Sequence, residues 1–207
     1  MIALILLLIL GLGAYFFGST IRKKAVFIYS AILLIAILAF YFRDVSLFFF
    51  INQGFLGFSF LYLVMIAGAL NKKSKMRKKL LGVRKEYSIL GFLSILPHAL
   101  GKLLLGLTGE INIAWFGIAT FIIMIPLFIT SFSYIRKKMT AKSWKKLQSF
   151  AYLVYLLIMV HLIINYTQFI GLVIYLALFM TYIILKLIYE IKRYKQKKSN
   201  LKTIKED

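Results

Sequence analysis

Seven nearly uncharged apolar stretches divide this chain: 2 to 21, 25 to 42, 47 to 70, 87 to 107, 113 to 135, 147 to 164 and 169 to 189. Each is close to the roughly 20 residues that a helix rising 1.5 Å per residue needs to cross about 30 Å of hydrocarbon. With 62% hydrophobic residues, 16% charged residues and a mean hydropathy of +0.88, a soluble globular domain is excluded. The expected fold class is an all-α integral membrane protein with about seven transmembrane helices.

Lys and Arg number 27 against 6 Asp and Glu, a formal net charge of +21. Such an excess suits nucleic acid, an anionic surface or topological charge, and position decides among them. Residues 22–24 hold 3 basic residues, 72–85 hold 8, 136–146 hold 6 and 186–205 hold 8, which together account for 25 of the 27. All four clusters fall on alternate connections. Because Lys and Arg mark the cytoplasmic side, the N-terminus is expected outside and the C-terminus in the cytoplasm of a bacterial cell whose plasma membrane the chain crosses repeatedly. The exceptions are Arg43 and Lys102, on or near the opposite connections. Lipid, rather than nucleic acid, is then the partner of the basic charge.

The first apolar run reads as an anchor and not as a cleaved leader, since Met1-Ile2-Ala3-Leu4 carries no basic residue and Arg22-Lys23-Lys24 follow the run. No repeat and no soluble domain is visible. The tail Lys192-Arg193-Tyr194-Lys195-Gln196-Lys197-Lys198 is expected to leave the last helix and lie on anionic headgroups, at about 1 kcal/mol per basic residue. The chain has no Cys, so thiolate metal sites and iron–sulfur clusters cannot be built from it. Without a Cys-x-x-Cys-His, c-type haem attachment is excluded as well.

Ionisable groups inside hydrocarbon are costly, so those that remain are candidates for function. The two histidines, His98 and His161, both fall within apolar runs, 12 residues past Glu86 and 14 past Leu147. At 1.5 Å per residue they lie about 18 and 21 Å from the inner face, at matching depth in the outer half. Two imidazoles at one level on two parallel helices suit the two axial positions of one haem iron. Gly91, Ser94 and Gly101 share the face of His98; such a strip gives room for a flat ring or, equally, lets two helices pack closely. Pro97 removes a backbone donor just before His98 and allows a local kink.

Two segments carry a resemblance. Lys79-Leu80-Leu81-Gly82-Val83-Arg84-Lys85 followed by the helix of His98, and Ser143-Trp144-Lys145-Lys146-Leu147-Gln148-Ser149-Phe150-Ala151-Tyr152 leading to His161, resemble the ferric-reductase-like transmembrane family. Within it they look most like the haem-binding membrane subunits of bacterial methionine sulfoxide reductase systems. The likeness spans roughly Gly54 to Leu185. It implies a four-helix haem-binding core over 46–190, preceded by transmembrane helices over 1–45 and followed by a basic cytoplasmic tail over 191–207. It also implies an electron-transfer subunit rather than a complete enzyme.

The chain departs from that pattern at Gln148, where the family has a further His, and an amide oxygen is a poor ligand for haem iron. One b-type haem held by His98 and His161 is therefore expected, with Gly91, Ser94 and Gly101 around it. Lys102, one turn outward from His98, suits a propionate or a snorkelling role, and Asn165 stands similarly to His161. No Gly-x-Gly-x-x-Gly is present, so electrons are expected from a cytoplasmic flavin reductase or a quinol, for an extracytoplasmic acceptor. A flavin or quinone near Trp144, Phe150 and Tyr152 would bridge the inner half. The alternative is a redox-free small membrane transporter or assembly factor, although the paired broken helices of many transporters are not evident.

Overall fold

The computed structural model describes residues 2–165 and 168–206, with side chains described up to residue 196. Among these residues all regular structure is helical. The order is α1 (Ile2–Lys23), α2 (Ala25–Tyr41), a 3₁₀ turn (Ser46–Phe48), α3 (Phe49–Asn52), α4 (Phe55–Ala67), α5 (Lys75–Gly82) and α6 (Arg84–Leu107). There follow α7 (Trp115–Ile129), α8 (Ser133–Arg136), α9 (Ala141–Gln148), α10 (Ala151–Asn165) and α11 (Phe169–Glu206).

All seven apolar stretches form helix, but they are not equally long. Five helical segments, Ile2–Lys23, Ser46–Ala67, Arg84–Leu107, Ala141–Asn165 and Phe169–Gln196, are long and apolar enough to cross a membrane. The other two, α2 and α7, have 17 and 15 residues. At 1.5 Å per residue these reach about 25 and 22 Å, short of about 30 Å of hydrocarbon, a mismatch that bilayer thinning can absorb. Large apolar side chains point outward, among them Phe16 at 65% and Val26 at 77% exposure. On a protein in water such surface would be an aggregation hazard; against acyl chains it is matched.

The spine of the bundle is α4. It is apolar on every side, the pattern of a helix surrounded by others, and all of its residues but Phe55 and Ile66 are buried. Phe60 and Leu63 enter a core shared with α1, α2, α5 and α6. Phe58, Tyr62 and Met65 meet Tyr175 and Phe179 of α11, while Leu61 joins Phe92 of α6, Met124 of α7 and Val154 of α10. The contact with α6 is close because glycines line it. A Cβ at Gly57 would sit 3.1 Å from the Gly91 carbonyl oxygen and 3.0 Å from Ile95 Cβ, and one at Gly91 would sit 3.0 Å from Leu61 Cγ. Small residues at helix interfaces in membranes do this commonly.

The third apolar stretch, expected as one continuous helix, is broken at Asn52-Gln53-Gly54. Gly54 has φ +77°, a left-handed conformation that glycine adopts without steric penalty, and it separates α3 from α4. By contrast α6 runs unbroken through Pro97. The C-terminal segment also differs from expectation, since α11 does not end near 190 but continues to Glu206. Glu190 pairs with Lys186 at 2.7 Å and Arg193 at 3.4 Å, and i,i+4 and i,i+3 pairs of this kind support a helix. Of the expected lipid-facing tail, the side chains of Lys197 and Lys198 lie outside the described residues.

The four basic clusters gather at one end of the bundle. Arg22 Nη1 donates to the Gly82 carbonyl at 3.3 Å, Lys85 Nζ to Ser133 Oγ at 3.1 Å, and Arg77 Nη2 to Tyr189 Oη at 3.5 Å.

Candidate functional site

His98 on α6 and His161 on α10 meet. Their ring centroids are 6.3 Å apart with the planes at 76°, and both side chains are half-buried. The contact is arranged through α7, which packs against both helices. Equal depth along two helices of the same direction thus becomes a juxtaposition of the chain's two imidazoles.

Each ring packs against a glycine from elsewhere in the chain, one in the break before α4 and one in α7. A Cβ at Gly54 would lie 3.2 Å from His98 Cγ, and one at Gly117 of α7 would lie 3.0 Å from His161 Cε1. The break before α4 serves the site a second time. His98 Nδ1 is 3.0 Å from the Asn52 carbonyl oxygen. A carbonyl can only accept, so Nδ1 carries the proton and Nε2 keeps its lone pair, an orientation common to metal-binding histidines. On the other side Asn165 Nδ2 donates to the His161 carbonyl at 2.9 Å and lies 3.3 Å from His161 Nδ1.

Polar atoms without partners collect nearby. The Asn52 side-chain amide, both oxygen and nitrogen, and Ser94 Oγ, one turn inward from His98, are buried with no hydrogen bond. Such groups are uncommon in folded proteins and call for a water or ligand. Among the described residues no group of three or more His, Cys, Asp or Glu side chains is suited to a metal ion, so a cage of protein ligands is not assembled. The two imidazoles would by themselves supply two ligands to a metal ion.

The other expected residues are placed as follows. Gly91 faces Leu61 and Phe60 of α4, and Gly101 faces the Arg43 guanidinium. Arg43 Nη1 donates to the Gly101 carbonyl at 3.4 Å and its Nε to Phe40 at 3.1 Å. Lys102 follows Gly101 and is half-buried. The two basic residues outside the four clusters, Arg43 and Lys102, therefore both lie by Gly101 at the end of α6 away from those clusters, within about a turn of His98. The sequence sets both apart from the four clusters but offers a role only for Lys102, since the contact that brings Arg43 of the α2–α3 connection to α6 is tertiary. The signal available for Asn52 and Gly54 was a polar triplet, Asn-Gln-Gly, inside an apolar run.

Toward the basic end of the bundle, Gln148 has a structural task. Its Nε2 donates to the Leu127 carbonyl at 3.3 Å and to Thr130 Oγ1 at 3.2 Å. Trp144 Nε1 donates to the Thr130 carbonyl at 3.2 Å while Arg136 covers its ring at 4.4 Å. The Leu127 and Thr130 carbonyls belong to the end of α7, where helical backbone partners run out, and Ser131 Oγ also donates to the Leu127 carbonyl at 2.8 Å. Phe150 and Tyr152, expected along an inner route, are instead exposed at 47% and 55%. The aromatics grouped between α6 and α7 are the buried Phe92, stacked on Phe121 at 5.4 Å and on Phe128 at 4.2 Å, with Phe132 against Phe128 at 5.1 Å. Substituting Gln148→His is expected to uncap α7 at a cost of about 1 kcal/mol and to add no haem, because no other His exists to oppose it. A second haem equivalent per chain in a pyridine haemochrome assay would contradict this.

No protein-family model matches the chain, and no solved structure matches it. An uncharacterized protein of Treponema pallidum (strain Nichols) is 32% identical over 110 residues, covering 48% of this chain and 30% of that relative. The matched region thus spans less than a third of the relative's length, and the relative's description names no ligand, activity or partner.

Proposed function

We propose that this chain is a membrane haem protein of the ferric-reductase-like kind that conducts electrons from a cytoplasmic flavin reductase or a quinol to an extracytoplasmic acceptor. One observation carries the reading: the chain's two histidines, from two separate helices, come together with ring centroids 6.3 Å apart. Nothing in packing alone requires that the pair be His and His. A bound b-type haem would supply one-electron chemistry at this level of the membrane.

His98 would ligate through Nε2, since Nδ1 is committed to the Asn52 carbonyl. His161 would ligate from the other side. Arg43 and Lys102 would receive the carboxylates of the group, which in a poorly hydrated setting need cations or donors. With the four basic clusters taken as cytoplasmic, this cationic pair faces the outer side of a bacterial plasma membrane, and the site lies in its outer half.

The decisive measurement is the visible absorption spectrum of the purified full chain, expressed with haem supplied and then reduced. A reduced b-type band with about one haem per chain is expected, and a colourless protein under those conditions ends the proposal. Reporter fusions test orientation in the same strains: one after Lys142 is expected to read cytoplasmic and one at Thr108 external.

A further inference from the structure

A basic cavity lies away from the histidines, where the C-terminal half of α1 passes α5. Its volume is about 520 Å³; Arg22, Lys78 and Lys79 line it with Ser19, beside the glycines Gly18 and Gly82. The glycines are what leave room for the arginine. A Cβ at Gly82 would sit 3.0 Å from Arg22 Nη1 and one at Gly18 3.9 Å from the same atom. Arg22 is in turn fixed by its bond to the Gly82 carbonyl. Lys79 extends over the Tyr15 ring with its ammonium 5.6 Å from the centroid.

Three cationic side chains line the cavity, and the ion pairs among the described residues all involve Glu190, on α11. The cavity therefore has positive charge without a protein counter-charge. Its remaining lining includes Phe16, and on the same helix Leu12 and Phe17 are exposed, so an apolar surface leads away from the basic mouth along α1. A polar, cationic pocket continuous with a lipid-facing apolar strip matches a molecule with a phosphate at one end and hydrocarbon at the other. The apolar strip gives nothing to a free phosphate ion.

We propose that this cavity binds the phosphate headgroup of an anionic phospholipid, with Arg22, Lys78 and Lys79 as the charge partners, Ser19 as a hydroxyl donor and the acyl chains along α1. The site is independent of the haem reading. It converts part of the basic cluster from a diffuse surface attraction into a defined lipid position, and it ties α1 to α5.

The test uses the full chain in a neutral detergent, with phosphatidylglycerol, phosphatidylcholine and inorganic phosphate added separately. Bound lipid is read by native mass spectrometry and by thermal midpoint. Phosphatidylglycerol is expected to be retained and to raise the midpoint, with phosphatidylcholine and phosphate both ineffective. The double variant R22Q/K79Q is expected to weaken phosphatidylglycerol binding about 25-fold, from a loss of about a fivefold factor per basic residue. K75Q, on α5 but outside the cavity lining, is the control and is expected to bind as the parent does. Equal retention of the two lipids overturns the proposal, as does an R22Q/K79Q protein that folds normally by circular dichroism and keeps its preference. Protection by inorganic phosphate equal to that by the lipid overturns the lipid assignment. Lys78→Gln alone, on an exposed side chain, supplies a milder variant should the double one fail to fold; an unchanged affinity there also counts against the site.

Discussion

His98→Ala and His161→Ala are each expected to abolish low-spin haem in the purified protein, leaving apoprotein or a weak five-coordinate remainder. The expectation rests on the proposed ligation, in which the second axial bond has no substitute: with both histidines committed to one iron, no spare imidazole exists in the chain. A packing role predicts a different outcome. Removing an intramembrane His that only hydrogen-bonds costs about 0.6 to 2 kcal/mol of helix association and leaves a cofactor spectrum unchanged. The two explanations are thus separated by spectrum and not by stability. Retention of a full low-spin spectrum at one haem per chain in either variant would remove that residue from the ligand set and with it the electron-transfer reading.

Gly57→Val is expected to lower the thermal midpoint sharply without touching the histidines directly. The first carbon of any side chain at this position meets a backbone oxygen of α6 at 3.1 Å and two atoms of Ile95 at 3.0 Å. A backbone carbonyl cannot rotate aside, so α4 and α6 must separate. Overpacking of this kind costs about 1 to 3 kcal/mol, and here it falls on the helix that enters all three parts of the core. Gly13→Ala is the matched control. Its Cβ would lie 3.5 Å from the Tyr87 hydroxyl, an ordinary contact. That variant is expected to be neutral or stabilised by up to about 1 kcal/mol, the helix-propensity difference between the two residues. If Gly57→Val melts with the parent protein, the close approach of α4 and α6 is not as described.

The helices were legible because membrane-length apolar runs are set by composition over many residues, which single contacts do not disturb. The convergence of His98 and His161 was legible in part: rise per residue fixes depth along each helix, whereas lateral proximity depends on how α6, α7 and α10 pack. Gly91 illustrates the limit. Its place on the face of His98 followed from helical spacing, yet its neighbour is Leu61 of α4, since one helix face can be shared between a partner helix and a site. Gly54 stood out only as part of a polar triplet and Gly117 had no distinguishing mark; that each presses on an imidazole is known only when the opposing side chain is in place. Gln148 was recognisable as a departure from a pattern; its bonds to the end of α7 required the fold. Glu86, taken in sequence as a marker of the inner boundary, is buried at 6% exposure in the first turn of α6, where a carboxylate faces the positive end of the helix.

The Asn52 carbonyl beside His98 bears on how this protein can change over generations. The acceptor that orients the ring belongs to the main chain and is therefore carried by every amino acid. Position 52 can drift among residues that tolerate the same turn while the His98 proton stays where it is. Two residues later the tolerance ends, because the left-handed φ of +77° and the imidazole 3.2 Å from a would-be Cβ both demand glycine. Mutational scanning across 52 to 54 should accordingly find a permissive site and an intolerant one side by side, the reverse of what is usual where a polar side chain itself holds a histidine.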